Sequence, residues 1–193
     1  RLVRFSTLII GRMKASLAQV NILASMFFGG ITGSAVADTS SIGGMLIPAM
    51  IEEGYDPDFS VAVTASSSVI GPIIPPSIVM VVYGATVNTS IGAMFMGGII
   101  PGILVGLGLM AVVACMSRTH DFPRRTEIFS RQEALEISLG AIFPLGMPLI
   151  ILGGILSGIF TPTEAGAVSA FYSLIVGTFI TKGRIFKAIP SKV

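Results

Sequence analysis

For 59 consecutive residues, Phe59 to Ser117, the chain carries no charged side chain. About twenty apolar residues cross the hydrocarbon core of a bilayer as one helix, so this run is too long for a single span and has to fold back. The fold-back falls at "GATVNTSIG", Gly84–Gly92, where small and polar residues interrupt the aliphatic run. This divides it into spans at 59–83 and 93–117. Only 11% of the sequence is charged and 52% is hydrophobic, against about 25% charge in a soluble domain. Mean hydropathy is +0.88. The chain is therefore read as an all-α integral membrane protein, with further spans at 137–160 and 165–181.

The basic residues orient these spans. Arg1, Arg4, Arg12 and Lys14 form one group; Arg118, Arg124, Arg125 and Arg131 a second; Lys182, Arg184, Lys187 and Lys192 a third. Short basic loops face the cytoplasm. Spans 59–83 and 93–117 then run out and back, with Gly84–Gly92 outside. Spans 137–160 and 165–181 do the same, with "TPTE" outside. The loop 118–136 and the segment 182–193 are cytoplasmic. Residues 1–14 read as the end of a preceding span or as an amphipathic arm on the inner surface.

Residues 15–50 break this simple alternation. Their basic flank at Lys14 and their acidic flank "EEGYDPD", Glu52–Asp58, are both assigned to the cytoplasm. One crossing would put the flanks on opposite sides, so the segment is expected to form a re-entrant hairpin. Its tip is "GGITGSAVAD", Gly29–Asp38, small and polar. Non-helical backbone at membrane depth survives only when buried in protein or lining a polar cavity, which makes this tip a candidate site.

A second break lies inside span 59–83, at "GPIIPPS", Gly71–Ser77. Pro72, Pro75 and Pro76 remove three backbone donors, and each disfavours helix in the residue before it. The freed carbonyls, with Ser66, Ser67 and Ser68 upstream and Ser77 downstream, would form an oxygen-only cage without formal charge. Broken helices in secondary transporters bind Na⁺ in this way, while half-helix N-termini face anionic groups. In the hairpin tip Thr32, Gly33 and Ser34 offer comparable chemistry. Asp38 has three open readings: a cap on the returning helix, an ion or proton group, or a tertiary partner. Near the end of the chain, Thr161 or Thr163 is suited to cap a helix whose first turn holds Pro162 and Glu164.

Several functions are excluded by what is missing. One cysteine, Cys115, leaves no internal disulfide and no multi-cysteine metal site. His120 is the single histidine, and no catalytic constellation or phosphate-binding loop occurs. A net charge of +2 gives no reason to expect nucleic acid. An intramembrane enzyme using Asp38 and a serine, and a non-transporting scaffold, remain as competing readings. The chain opens on Arg1 without a signal-peptide pattern and is read as a piece of a longer protein.

Two long stretches carry a family resemblance. "NILASMFFGGITGSAVADTSSIGGMLIPAMIEEGYDPDFSVAVTASSSVIGPIIPPSIVMVVYG" resembles the large membrane subunit of tripartite ATP-independent periplasmic (TRAP) transporters, and "LGMPLIILGGILSGIFTPTEAGAVSAFYSLIVG" resembles the start of that family's second repeat. The resemblance runs from about Lys14 to Thr181. It implies a bacterial or archaeal inner-membrane protein of two inverted repeats, each with a re-entrant hairpin and a broken helix. It also implies Na⁺-driven uptake of organic acids such as C4-dicarboxylates or sialic acid, with no cofactor beyond the coupling ion. A periplasmic substrate-binding protein and a small membrane subunit are the implied partners, and another Na⁺- or H⁺-coupled carboxylate transporter is the runner-up. Carried over by motif, Gly33 and Ser34 with Ser66–Gly71, Pro72, Pro75 and Pro76 would form the first Na⁺ site, with Gly33, Ser34, Ser67 and Gly71 as leading ligands. The second repeat's hairpin and broken helix are absent from this chain, so its share of the site cannot be assigned.

Overall fold

A computed structural model describes residues 2–10, 13–123 and 130–180, and every regular element among them is helical. Helix α1 (Leu2–Ile10) packs against α2 (Ser16–Thr32), with the rings of Phe5 and Phe27 5.8 Å apart. Ser6, Thr7 and Ile10 are buried, so α1 is a packed helix rather than a surface arm.

Gly33 ends α2. Its φ of 60° lies in the left-handed region, and its N–H returns to the Gly29 carbonyl at 2.8 Å, a common way of closing a helix. Ser34 is extended and accepts from the Ala37 N–H at 3.4 Å. The chain then returns through α3 (Ala35–Asp38), a π-helical turn (Thr39–Gly43) and α4 (Gly44–Glu52). Asn21 near the base of α2 reaches Met50 near the end of α4, so the two arms form an antiparallel helical hairpin.

Helix α5 (Pro57–Ser68) starts where Asp56 accepts from the N–H groups of Asp58 and Phe59 at 2.9 and 3.1 Å. Pro57 is at its first position, where a missing donor costs nothing. After Ser68 the chain tightens into turns, with Gly71 N–H on the Ser68 carbonyl and Ile74 N–H on the Ile70 carbonyl. Helix α6 (Ile78–Val87) begins only after the three prolines, capped by Ser77. The span is a broken helix.

The turn that follows is shorter than the sequence suggested. Asn88, at φ 53°, closes α6, and α7 (Ile91–Thr119) starts after Ser90. Helix α8 (Arg131–Leu156) begins six residues before the apolar span at 137, because Ser130 and Glu133 form a reciprocal capping box that draws the charged turn into the helix. Thr161 and Glu164 cap α9 (Pro162–Ile175) in the same way, and a π-helical turn (Val176–Ile180) follows. The segment expected at 182–193 lies outside the described residues.

Polar and apolar residues are distributed opposite to a water-soluble fold. Gln19, Asn21, Ser25, Asp38, Ser60, Thr64 and Ser67 are completely buried, whereas Ile100 of α7, Leu149 of α8 and Phe171 of α9 are 65–71% exposed. Helices α7 and α8 have 29 and 26 residues, roughly 43 and 39 Å at 1.5 Å per residue. Both are long and apolar enough to cross a bilayer. The molecule is an integral membrane protein.

The connections gather at two ends. Tyr55 stacks on Phe59 and Phe122, with ring centroids at 6.2 and 5.6 Å, and packs into the same buried cluster as Ala15 and Leu17. The base of the hairpin, the start of α5 and the end of α7 therefore share one end. At the other end, Gly92 lies beside Leu156.

Candidate ion site

The two breaks meet. The Ile78 N–H, at the start of α6, donates to the Gly33 carbonyl at 3.4 Å. A Cβ on Gly33 would run into the Pro76 carbonyl oxygen, and one on Gly29 would sit 2.8 Å from the Gly71 Cα. A Cβ on Gly71 would come 3.3 Å from the carbonyls of Ser34 and Ser68. Side chains are excluded on both sides, so backbone meets backbone. Helix α7 supports the junction from outside: a Cβ on Gly98 would strike the Ile73 carbonyl oxygen and one on Gly102 the Ile74 side chain.

Below the junction lies a buried oxygen-rich network. Ser68 Oγ donates to Asp38 Oδ2 at 2.7 Å and lies 2.9 Å from the Thr64 carbonyl. Ser67 Oγ lies 3.1 Å from Ser25 Oγ and 3.0 Å from the same carbonyl. Asn21 Nδ2 donates to Thr64 Oγ1 at 2.6 Å. Asp38 is the most consequential member, because its Oδ1 is buried without a hydrogen-bond partner. A buried carboxylate is costly unless a cation, a proton or hydrogen bonds compensate it. The surrounding groups are all hydroxyl, amide and carbonyl, a set suited to a hard cation rather than a soft metal. Among the described residues no cluster of three or more His, Cys, Asp or Glu could hold a metal.

The structure sorts the sequence candidates into groups. Gly33, Ser34, Gly71, Pro75, Pro76 and Ser77 lie at the junction itself. Ser67, Ser68 and Asp38 lie in the network beneath it. Pro72 is half-buried at the turn. Thr32 donates to the Phe28 carbonyl at 3.3 Å and lines, with Ser77 and Phe95, a cavity of about 260 Å³. Ser66 faces outward and is exposed, because it falls on the opposite side of α5 from Ser67 and Ser68. The helix-cap reading of Asp38 is corrected: Ser34 caps the returning helix, since Gly33 already ends α2 and leaves Asp38 a turn inside. Its carboxylate points at α5 instead.

Asn21, Ser25 and Thr64 complete the network, and the sequence reading did not single them out. A signal was present. Asn21 and Ser25 are four residues apart on α2, and Ser60, Thr64, Ser67 and Ser68 follow helical spacing on α5. Two polar stripes in apolar helices are expected to face each other.

A glycine-tipped helical hairpin docked on a proline-broken helix, with polar groups buried inside an apolar exterior, is an arrangement that membrane proteins with broken helices use. The family model for the tripartite ATP-independent periplasmic transporter, DctM component, matches residues 1–193, and the chain belongs to that family. It is 43% identical over 183 residues to the sialic acid TRAP transporter large permease protein SiaM of Vibrio cholerae and 41% identical over 180 residues to the C4-dicarboxylate TRAP transporter large permease protein DctM of the same organism. It is 39% identical over 189 residues to the sialic acid TRAP transporter permease protein SiaT of Haemophilus influenzae. These matches cover 93%, 93% and 98% of this chain but 42%, 40% and 30% of the relatives. The chain thus spans less than half the length of the relatives it matches, and those relatives are named as transporter permeases rather than enzymes.

Proposed function

We propose that this chain forms the first ion-binding half of a large permease subunit that uses a Na⁺ gradient to take up an organic acid. The observation that carries this reading is the docking of Gly33–Ser34 on Gly71–Ser77 above the buried Asp38–Ser68 pair. Carbonyl and hydroxyl oxygens of Gly33, Ser34, Ser67 and Gly71, with the carboxylate of Asp38 nearby, replace the hydration shell of Na⁺. The N-terminus of α6 carries partial positive charge and favours an anionic substrate group on the same side. Sialic acid and C4-dicarboxylates are the substrate classes to test first, because relatives are named for them.

The hairpin enters and leaves from the cytoplasmic side of an inner membrane. Its base, the Glu53–Asp56 loop and the end of α7 share one end of the molecule, as parity of the basic flanks requires. A small membrane subunit and a periplasmic substrate-binding protein complete the transporter, and the second inverted repeat supplies the other half of the site. The orphaned Asp38 oxygen also supports a second reading, in which a proton on Asp38 is the coupling ion.

Reconstitution of the full-length permease with its partners separates the two. Sialic acid and succinate uptake is measured with an inward Na⁺ gradient, a proton gradient, or neither. Uptake that rises only with Na⁺ supports the proposal. Uptake indifferent to Na⁺ but driven by protons, and lost in Asp38→Asn, replaces it with the second reading.

A further inference from the structure

Asn21 is fully buried near the base of α2, about 16 Å along the helix from the tip at Thr32. Its side chain touches both other arms of the assembly. Nδ2 donates to Thr64 Oγ1 of α5 at 2.6 Å and lies 3.7 Å from Met50 Sδ of α4, and Oδ1 accepts from Ser67 Oγ at 3.5 Å. Apolar packing is non-directional and fixes helix register poorly, whereas an amide with a defined donor and acceptor does so well. Register matters at this junction. A slip of α2 by one residue moves it 1.5 Å and turns it about 100°, which would carry Gly29 away from Gly71.

We infer that Asn21 is a positioning residue for the cation site. It clamps α2 to α5 and to α4, so that the Gly33–Ser34 tip lands on Gly71–Ser77. This inference rests on the Na⁺ reading above. Gln19, two residues away and equally buried, makes a different tie: its Nε2 donates to the Met110 carbonyl of α7 at 2.9 Å.

The test measures Na⁺ binding without needing a substrate. Thermal stability of the purified full-length permease is followed against NaCl, with KCl holding ionic strength constant, because a ligand that binds only the folded state raises its stability with concentration. Asn21→Ala should raise the NaCl concentration for half-maximal stabilisation about tenfold, the upper range for one lost buried hydrogen bond. Thr64→Val, which removes the acceptor for Asn21, should shift it the same way and decides the matter if Asn21→Ala does not fold. Gln19→Leu should lower the melting temperature without moving the Na⁺ midpoint. An unchanged midpoint in the folded Asn21 or Thr64 variant overturns the inference while leaving the Na⁺ reading intact. An equal shift in Gln19→Leu also overturns it, since general loosening would then suffice. A wild-type protein stabilised equally by KCl removes the Na⁺ reading and the inference together.

Discussion

At Gly33 two constraints act on one residue. Its φ of +60° is strained for any residue with a Cβ, and the Pro76 carbonyl oxygen fills the space a Cβ would need. Gly44, eleven positions further on and also near a helix end, has nothing within 4 Å of its Cβ position and ordinary right-handed geometry. Gly33→Ala should therefore cost about 2 kcal/mol or more and push the hairpin off the broken helix. Gly44→Ala should be neutral or add up to about 1 kcal/mol. Thermal melts of the two variants in the full-length permease check this, and similar melting temperatures would contradict the close backbone contact.

At the scale of elements, Tyr55 joins three of them. It sits in the α4–α5 connection, stacks on Phe122 after α7 and packs against the first turn of α2. Burial pushes its hydroxyl up to about 12; the Leu17 N–H of α2 opposes the shift, and the nearby Glu53 charge adds to it. The unfolded chain ionises near 10, so between pH 10 and 12 it gives up a proton that the folded chain keeps. Stability present below pH 10 should then fall by about 1.4 kcal/mol per pH unit up to pH 12. Across that range wild type should lose stability relative to Tyr55→Phe in thermal melts, since the phenylalanine variant lacks the titration. One helix end was legible at this scale: Thr161–Pro162 announces a cap because the capping residue and the proline are local in sequence. The start of α8 was not, because a charge-based span excludes the first turn that Ser130 and Glu133 cap.

For the whole molecule, the decisive property is which connections share an end. Asp58 and Thr89 are both exposed and sit at the two ends of the broken helix. In a Cys115→Ser background, Thr89→Cys should react with a membrane-impermeant maleimide added outside intact cells, and Asp58→Cys only after permeabilisation. The reverse pattern would invert the proposed orientation. Reaction of both from one side would contradict a broken helix that crosses the membrane.

Hydropathy and charge by themselves determined that this chain is a helical membrane protein, where its uncharged runs fold back, and that two polar breaks interrupt them. Those properties follow from transfer free energies and proline geometry, which act residue by residue. Only the tertiary structure decided that the breaks touch, that Ser66 turns outward while Ser67 and Ser68 turn in, and that Asp38 answers Ser68 rather than capping a helix. Each depends on the rotation of one helix against another, and that rotation is set by packing at Gly29, Gly71 and Asn21, residues far apart in the chain.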